Sequence, residues 1–184
     1  MKRLSTPFLF LDRLSTKRNL FILFILSALF PALIFPMGGI DAGRIPDALF
    51  YYTPNQLIEL LQSYSPDERS AYYLGAFLID VLYPMAYSLL LAALLKMLLN
   101  KRGNRQSAWN YLCLLPFTAA FFDLAENITI SRLLFTIDKP SLLLARAASR
   151  FTAIKWGLVF LSFIAILMLF VLTILPRKTA LPKN

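Results

Sequence analysis

The sequence has no histidine and only one cysteine among its 184 residues. The absence of imidazole excludes every histidine-based role: the haem or zinc ligand, the general base and the charge switch near neutral pH. The single thiol, that of Cys113, can form neither an internal disulfide nor a Cys-x-x-Cys redox pair. No phosphatase, lipid-kinase or phosphotransferase motif accompanies the acidic residues. We therefore expect neither a metal site nor a cofactor.

Charged residues are scarce. They make up 16% of the chain, against about 25% in a soluble domain, whereas 58% of the residues are apolar. This composition predicts a membrane protein. The net charge of +9 comes from lysines and arginines that flank apolar runs, without a basic stripe that interleaves aromatic residues. We therefore expect membrane lipids, and not nucleic acid, as partners.

Four apolar runs reach the length of about 20 residues that a membrane-spanning helix needs. They are residues 19–40, 71–95, 107–131 and 151–175. The first run follows basic residues as a signal peptide would, but no small-x-small cleavage site follows its long apolar core, so we expect an uncleaved anchor. The fold prediction is a single all-α domain, an integral membrane four-helix bundle.

The distribution of lysine and arginine predicts the orientation of these spans. Basic residues collect in residues 1–18, 96–106 and 176–184, which the positive-inside rule places on the cytoplasmic side. The loop 41–70 has two basic and five acidic residues and is expected outside. The loop 132–150 falls on that same side although it carries four basic residues. Both termini are therefore expected in the cytoplasm, with the protein in the bacterial inner membrane.

A helix-start signal lies within the loop 41–70. The motif TPNQ at 53–56 combines a threonine N-cap, proline at the first helical position and glutamine three residues after the cap. Leu57, Leu60, Leu61 and Tyr64 then follow at helical spacing. The pattern predicts a short extracytoplasmic amphipathic helix between spans 1 and 2. Its apolar face is expected on the outer bilayer surface, as an anchor, or at the mouth of the bundle, as a lid. The motif SPDE at 65–68 predicts that the next helix begins near Pro66.

Ionisable residues inside the spans indicate where function should be sought, because each costs about 2.5–3.5 kcal/mol unless it is paired or faces water. The spans contain Asp80, Asp123, Glu126 and Lys155. At about 1.5 Å per residue these four lie in one layer of the outer half of the membrane, within about 8 Å along the normal, and are expected to meet. The three acids form a candidate catalytic acid/base cluster. The candidate ligand-binding residues are Tyr83, Tyr87, Asn127, Thr152, Lys155 and Trp156.

Five pieces of sequence carry a resemblance to known proteins: TP at 53–54 with the amphipathic run after it, SPDER at 65–69, DVLYP at 80–84, DLAEN at 123–127 and KW at 155–156. In this order they resemble a family of small, uncharacterised four-span bacterial membrane proteins, which implies topology but no activity. The chain is also faintly similar to the emopamil-binding superfamily of sterol isomerases and sigma-2-like receptors. That similarity implies a small helical bundle whose intramembrane acids hold or protonate lipid-like and amine ligands. The isomerases also use histidine, which this chain lacks.

Three functions fit these residues. The acids can bind the polar head of an amphipathic lipid-like ligand, and can process it chemically if one neutral acid donates a proton while an ionised neighbour accepts one. An oligomer can move protons or small cations, since four spans are few for a monomeric transporter. A non-catalytic scaffold or assembly factor can use the polar layer to lock helix register. Whether the protein is an enzyme stays open at this point. A homo-oligomer is compatible with the apolar helix faces.

Overall fold

The structure, a computed structural model, describes residues 8–37, 40, 42–46, 49–78, 81–103 and 108–175, and helices are the regular secondary structure found in this part of the chain. The α-helices there are α1 (Leu9–Leu14), α2 (Lys17–Met37), α3 (Pro54–Gln62), α4 (Pro66–Leu78), α5 (Leu82–Lys101), α6 (Leu115–Phe135) and α7 (Leu142–Ile174). Short 3-10 segments occupy Ala42–Arg44 and Ala108–Leu114. The all-α prediction is confirmed for these residues.

Within the described residues, three helical stretches are long and apolar enough to cross a membrane, which confirms the membrane-protein prediction in this coarser form. They are Leu82–Lys101, Ala108–Phe135 and Leu142–Ile174. The predicted first span corresponds to α2, a helix of 21 residues. That α2 crosses the membrane, and that the bundle has four spans, stay predictions.

The apolar run 71–95 is divided between two helices. One of them, α4, ends at Leu78, and α5 begins at Leu82. Pro84 lies in the first turn of α5, where a proline is tolerated because the missing N–H would have no partner within the helix. The part of this region that is long and apolar enough to cross a membrane is α5, which extends to Lys101, beyond residue 95.

The last helix begins well before the predicted start at residue 151. Ser141 caps α7, and its side chain accepts a hydrogen bond from the backbone N–H of Leu144. Arg146 and Arg150 lie within this extra length and are exposed. A search for uncharged runs excludes Arg146 and Arg150. Charged side chains are nevertheless compatible with the part of a helix that projects from a membrane.

The predicted short helix before span 2 is present as α3, and its capping box is complete. Thr53 Oγ1 accepts a hydrogen bond from the Gln56 backbone N–H at 3.3 Å, and Gln56 Oε1 accepts one from the Thr53 N–H at 2.8 Å. Leu57 and Leu61 are fully buried. They pack against the ends of α6 and α7 that are joined by residues 136–141, among Ile130, Leu133, Leu134, Ala145 and Ala148. Burying each leucine stabilises this arrangement by about 1.5–3 kcal/mol.

The predicted helix start at Pro66 is also present. Glu68 Oε2 accepts a hydrogen bond from the Ser65 backbone N–H at 2.8 Å, and Ser65 Oγ accepts one from the Glu68 N–H at 3.2 Å. Glu68 Oε1 lies 2.5 Å from the Arg44 guanidinium. The Ser65 hydrogen bond, and then the Arg44 guanidinium, hold the pKa of the Glu68 carboxyl below its usual range. These contacts connect the Ala42–Arg44 turn to the start of α4.

In the part of the chain that the structure describes, two separate apolar clusters form the core. One cluster surrounds α3 at the α6–α7 connection. The other lies toward the opposite ends of α5 and α7, around Leu95, Leu99, Cys113 and Leu169. The stretches of α6 and α7 between the two clusters carry buried polar and charged side chains. This polar layer contains the candidate site.

Candidate functional site

The polar layer is built on one stripe of α6 and one stripe of α7. On α6, Asp123, Glu126 and Asn127 follow the three- and four-residue spacing that puts side chains on the same face of a helix. On α7, Thr152 and Lys155 do the same. All five side chains are buried. Because these faces of α6 and α7 are turned toward each other, two of the predicted acids lie beside the predicted lysine.

Lys155 lies between the two carboxylates. Its Nζ is 2.6 Å from Glu126 Oε2 and 3.2 Å from Asp123 Oδ1. The exposed fraction is 0% for Glu126, 4% for Lys155 and 6% for Asp123. Taking ions out of water costs several kcal/mol for each, so such a set is stable only when attraction and hydrogen bonds compensate for the loss of hydration.

Two hydroxyl groups hold the other oxygen of Glu126. The Tyr52 hydroxyl donates to Oε1 at 2.9 Å, and Thr152 Oγ1 lies 2.5 Å from the same oxygen. Thr152 has one hydroxyl hydrogen, and the Ala148 carbonyl and the Tyr52 hydroxyl oxygen are also within reach, at 3.0 Å and 2.8 Å. Glu126 is therefore fixed from both sides, by the lysine at Oε2 and by hydroxyls at Oε1.

Asp123 has a different environment, because its second oxygen faces α5. The Tyr87 hydroxyl donates to Asp123 Oδ2 at 3.0 Å. The ring of Tyr83 lies edge-on to that of Tyr87, with 5.3 Å between the ring centroids. Both tyrosines are half-buried, and their neighbours Leu82 and Met85 are exposed. Of the two described carboxylates of the cluster, Asp123 is the one that accepts a hydrogen bond from α5.

The non-helical stretch before α3, residues 49–53, contacts the cluster and its neighbours on α7, and we call it the cap segment. Ser149 Oγ donates to the Tyr52 carbonyl at 2.5 Å, and Trp156 Nε1 donates to the Leu49 carbonyl at 3.0 Å. The Phe50 ring packs on Trp156 with a centroid separation of 4.5 Å. The centroid of the Trp156 ring also lies 5.8 Å from Lys155 Nζ. Trp156, which the sequence predicted as a ligand-binding residue, therefore contacts the cap segment through a hydrogen bond and a ring contact.

The sequence analysis missed Tyr52 and Ser149. Ser149 lies three residues before Thr152 on the same stripe of α7, so its helical spacing is a signal that could have identified it. Tyr52 lies in a loop, where no spacing pattern places its side chain. Asp80, the third acid of the predicted cluster, lies outside the described residues. Asn127 is buried on the same face of α6 as Glu126.

The arrangement can balance the charge of a cation or pass a proton between neighbouring groups. Among the described residues there is no group of three or more histidine, cysteine, aspartate or glutamate side chains placed to hold a metal ion. Comparison of the chain with protein-family models, with curated proteins and with solved structures finds no match. The two resemblances of the sequence stay predictions.

Proposed function

We propose that the cluster of Asp123, Glu126 and Lys155 binds the positively charged head of an amphipathic, lipid-like ligand. The observation that carries the proposal is the unequal charge of this buried cluster, in which two carboxylates share one lysine. When both carboxyl groups are ionised, these three described side chains carry one negative charge in excess. A buried charge without compensation is strongly destabilising. The amine of a bound ligand would compensate for it.

Asp123 is the carboxylate that we expect to contact the ligand. Glu126 already has the lysine on one oxygen and two hydroxyls on the other, whereas Asp123 borders the rings of Tyr83 and Tyr87. An ammonium group is attracted both by a carboxylate and by the faces of aromatic rings. The exposed apolar face of α5 beside these rings suits the tail of the same molecule. In this proposal the head lies at Asp123 and the tail lies along α5.

Chemical processing of the ligand is an extension of the same proposal. The two carboxylates have different surroundings, which is the arrangement that lets one acid donate a proton while its neighbour accepts one. Enzymatic activity needs a substrate whose proton lies within reach of both groups. Binding alone needs only the charge of the head group.

The binding test uses the purified full-length protein in a mild nonionic detergent. Dodecylamine is titrated against the protein, dodecanoic acid serves as the anionic counterpart, and binding is followed by tryptophan fluorescence and by thermal unfolding. We expect saturable binding of the amine and at least about tenfold weaker binding to Asp123→Asn, a loss equivalent to ~1.4 kcal/mol. The matched control is Asp138→Asn, because Asp138 is exposed in the turn after α6. Equal affinity of Asp123→Asn and the unchanged protein would contradict the proposal.

A second proposal is proton or small-cation translocation by an oligomer. It is supported by a continuous series of polar contacts that runs from Tyr87 through Asp123, Lys155 and Glu126 to Tyr52. Vesicles that contain the protein and a pH-sensitive dye would measure proton flux. Flux that disappears in Glu126→Gln supports this function. If Glu126→Gln only lowers stability, and neither flux nor amine binding occurs, the scaffold function is favoured.

We also propose that α2 is a fourth span, with both chain termini in the cytoplasm of a bacterial cell and α3 outside. The support is the excess of lysine and arginine in residues 1–18, 96–106 and 176–184. Cysteines introduced at Gln62 and at Lys183 would test it with a membrane-impermeant thiol reagent in intact cells. The native Cys113 is buried and gives little background. Labelling at Lys183→Cys but not at Gln62→Cys would show that the protein has the opposite orientation.

A further inference from the structure

The short helix α1 is held against the last turns of α5, at the end of the bundle away from the cluster. Leu11 is buried among Leu95, Leu98 and Leu99. Asp12 Oδ1 accepts a hydrogen bond from Asn100 Nδ2 at 2.7 Å and lies 3.6 Å from Lys96 Nζ. The position of α1 is therefore fixed by the burial of Leu11 and by the polar contacts of Asp12.

The side of α1 away from α5 exposes large apolar residues. Leu9 is 61% exposed and Phe10 is 53% exposed. Phe8 connects α1 to the Ala108–Leu114 segment through an edge-to-face contact with Tyr111, with 5.9 Å between the ring centroids. Tyr111 and Trp109 are exposed too. Exposed tyrosine and tryptophan at the end of a membrane-crossing helix are typical of the membrane–water interface.

Cations surround these apolar side chains. Arg13, Lys17 and Arg18 are exposed at the end of α1 and the start of α2, and Lys101 is exposed at the end of α5. Between residues 8 and 20, all of them described, Asp12 is the one acidic residue, and it is already engaged by Asn100 and Lys96. The surface is therefore both apolar and positively charged.

We infer that Leu9, Phe10, Arg13, Lys17 and Arg18, which we call the α1 surface, bind the anionic headgroups of phospholipids in the adjacent leaflet. The surface of an anionic leaflet is negatively charged, and its interior is apolar. The exposed cations of α1 suit the headgroups, and the apolar side chains beside them suit the interior. The attraction acts over a Debye length of about 8–10 Å, so the cations need only lie near the headgroups. This inference is independent of any ligand at the Asp123–Glu126–Lys155 cluster.

The test uses the full-length protein in phosphatidylcholine bilayers that contain brominated phosphatidylglycerol, with brominated phosphatidylcholine as the neutral counterpart. Bromine quenches the fluorescence of a tryptophan that it touches. Trp109 lies in the Ala108–Leu114 segment, whose Tyr111 contacts Phe8 next to the α1 surface. The chain has one other tryptophan, so Trp109→Phe protein measures the background from Trp156. We expect half-maximal quenching of Trp109 at an about tenfold lower fraction of the anionic lipid than of the neutral lipid, equivalent to ~1.4 kcal/mol.

Two triple variants separate a site on the α1 surface from a general effect of charge. Arg13→Gln/Lys17→Gln/Arg18→Gln is expected to remove most of the preference for the anionic lipid at Trp109. Arg132→Gln/Arg146→Gln/Arg150→Gln removes the same charge from exposed positions near the α6–α7 connection and is expected to keep the preference. Equal loss in both variants, or no preference in the unchanged protein, would overturn the inference.

A charge-conserving variant keeps the inference testable if the first triple variant fails to fold. Arg13→Lys/Arg18→Lys retains the positive charge and is expected to retain the preference for the anionic lipid. High salt, which screens the attraction, is expected to reduce that preference in the unchanged protein. A preference that salt does not change would overturn the inference, because it could not come from the exposed cations.

Discussion

Tyr52 and Glu126 lie 74 residues apart in the chain, yet the tyrosine hydroxyl donates a hydrogen bond of 2.9 Å to Glu126 Oε1. The contact joins the cap segment to the most deeply buried acid of the cluster. Because Ser149 also holds the Tyr52 carbonyl, the tyrosine is positioned at both its backbone and its side chain. The cap segment therefore contributes a side chain to the polar cluster and is itself held in place by α7.

Tyr52→Phe is expected to lower the free energy of unfolding by about 1.5–3 kcal/mol, the range for a hydrogen bond to a charged group. The change keeps the ring and removes only the hydroxyl that Glu126 accepts from. Unfolding in detergent, followed by circular dichroism, measures the loss. Tyr51→Phe is the control because Tyr51 is 64% exposed. If the two variants are equally stable, the bond to Glu126 contributes nothing.

Lys155→Met is expected to cost about 3–5 kcal/mol, because it leaves two buried carboxylates without their shared cation. Adding Asp123→Asn and Glu126→Gln to the same protein removes the uncompensated charge and should recover part of this loss. Thermal unfolding in detergent compares the single and triple variants. A triple variant that is less stable than Lys155→Met would show that charge is not what couples these positions.

Leu57→Ala is expected to cost about 2–5 kcal/mol, since it leaves a cavity where α3 packs on α6 and α7. Limited proteolysis should then cut the chain in residues 49–62 more quickly. Leu74→Ala is the control, because Leu74 is 65% exposed and its removal opens no cavity. Unchanged proteolysis of Leu57→Ala would mean that α3 is held by its polar contacts alone.

The Glu68 contacts predict a pH dependence outside the membrane-crossing segments. The pKa of Glu68 lies below its unperturbed value of 4.5 because Ser65 and Arg44 favour the ionised form. Folding therefore gains stability above pH 4.5, and this gain is lost as the pH falls through the lowered value. We expect Glu68→Gln to be less stable than the unchanged protein near neutral pH and to approach it in acid. Thermal unfolding across this pH range checks the convergence.

Glu59→Gln supplies the control for that comparison. Glu59 is exposed on α3, so the substitution removes the same charge without the Ser65 and Arg44 contacts. The stability difference between Glu59→Gln and the unchanged protein should stay small at every pH. If Glu59→Gln converges in acid as Glu68→Gln does, overall charge and not the Glu68 contacts explains the effect.

Local signals predicted the starts of α3 and α4, because a capping box depends only on residues three positions apart. Hydropathy predicted four apolar runs, since apolar length is a property of the sequence alone. Among the described residues, three helical stretches that overlap these runs are long and apolar enough to cross a membrane. The helix that contains the apolar run 151–175 begins earlier, at Leu142, because charged residues such as Arg146 and Arg150 remain helical beyond the apolar run. Helix ends in such regions depend on caps such as Ser141 rather than on hydropathy.

The meeting of Asp123, Glu126 and Lys155 could be predicted because helix geometry fixes both the depth and the facing of side chains on a span. The identity of the hydrogen-bond partners could not. Tyr52 reaches Glu126 only because α3 packs on the ends of α6 and α7, and that packing is a contact between distant parts of the chain. Likewise, the docking of α1 depends on Asn100 and Lys96, which are remote in sequence from Asp12.

The length of α7 has a mechanical consequence. At about 1.5 Å per residue, its 33 residues extend about 50 Å, whereas the hydrocarbon layer is about 30 Å thick. Ser149 and Trp156 donate hydrogen bonds to the cap segment, and both lie within two turns of Lys155 on this one helix. A tilt of α7 therefore displaces the Lys155 ammonium group and the cap segment together.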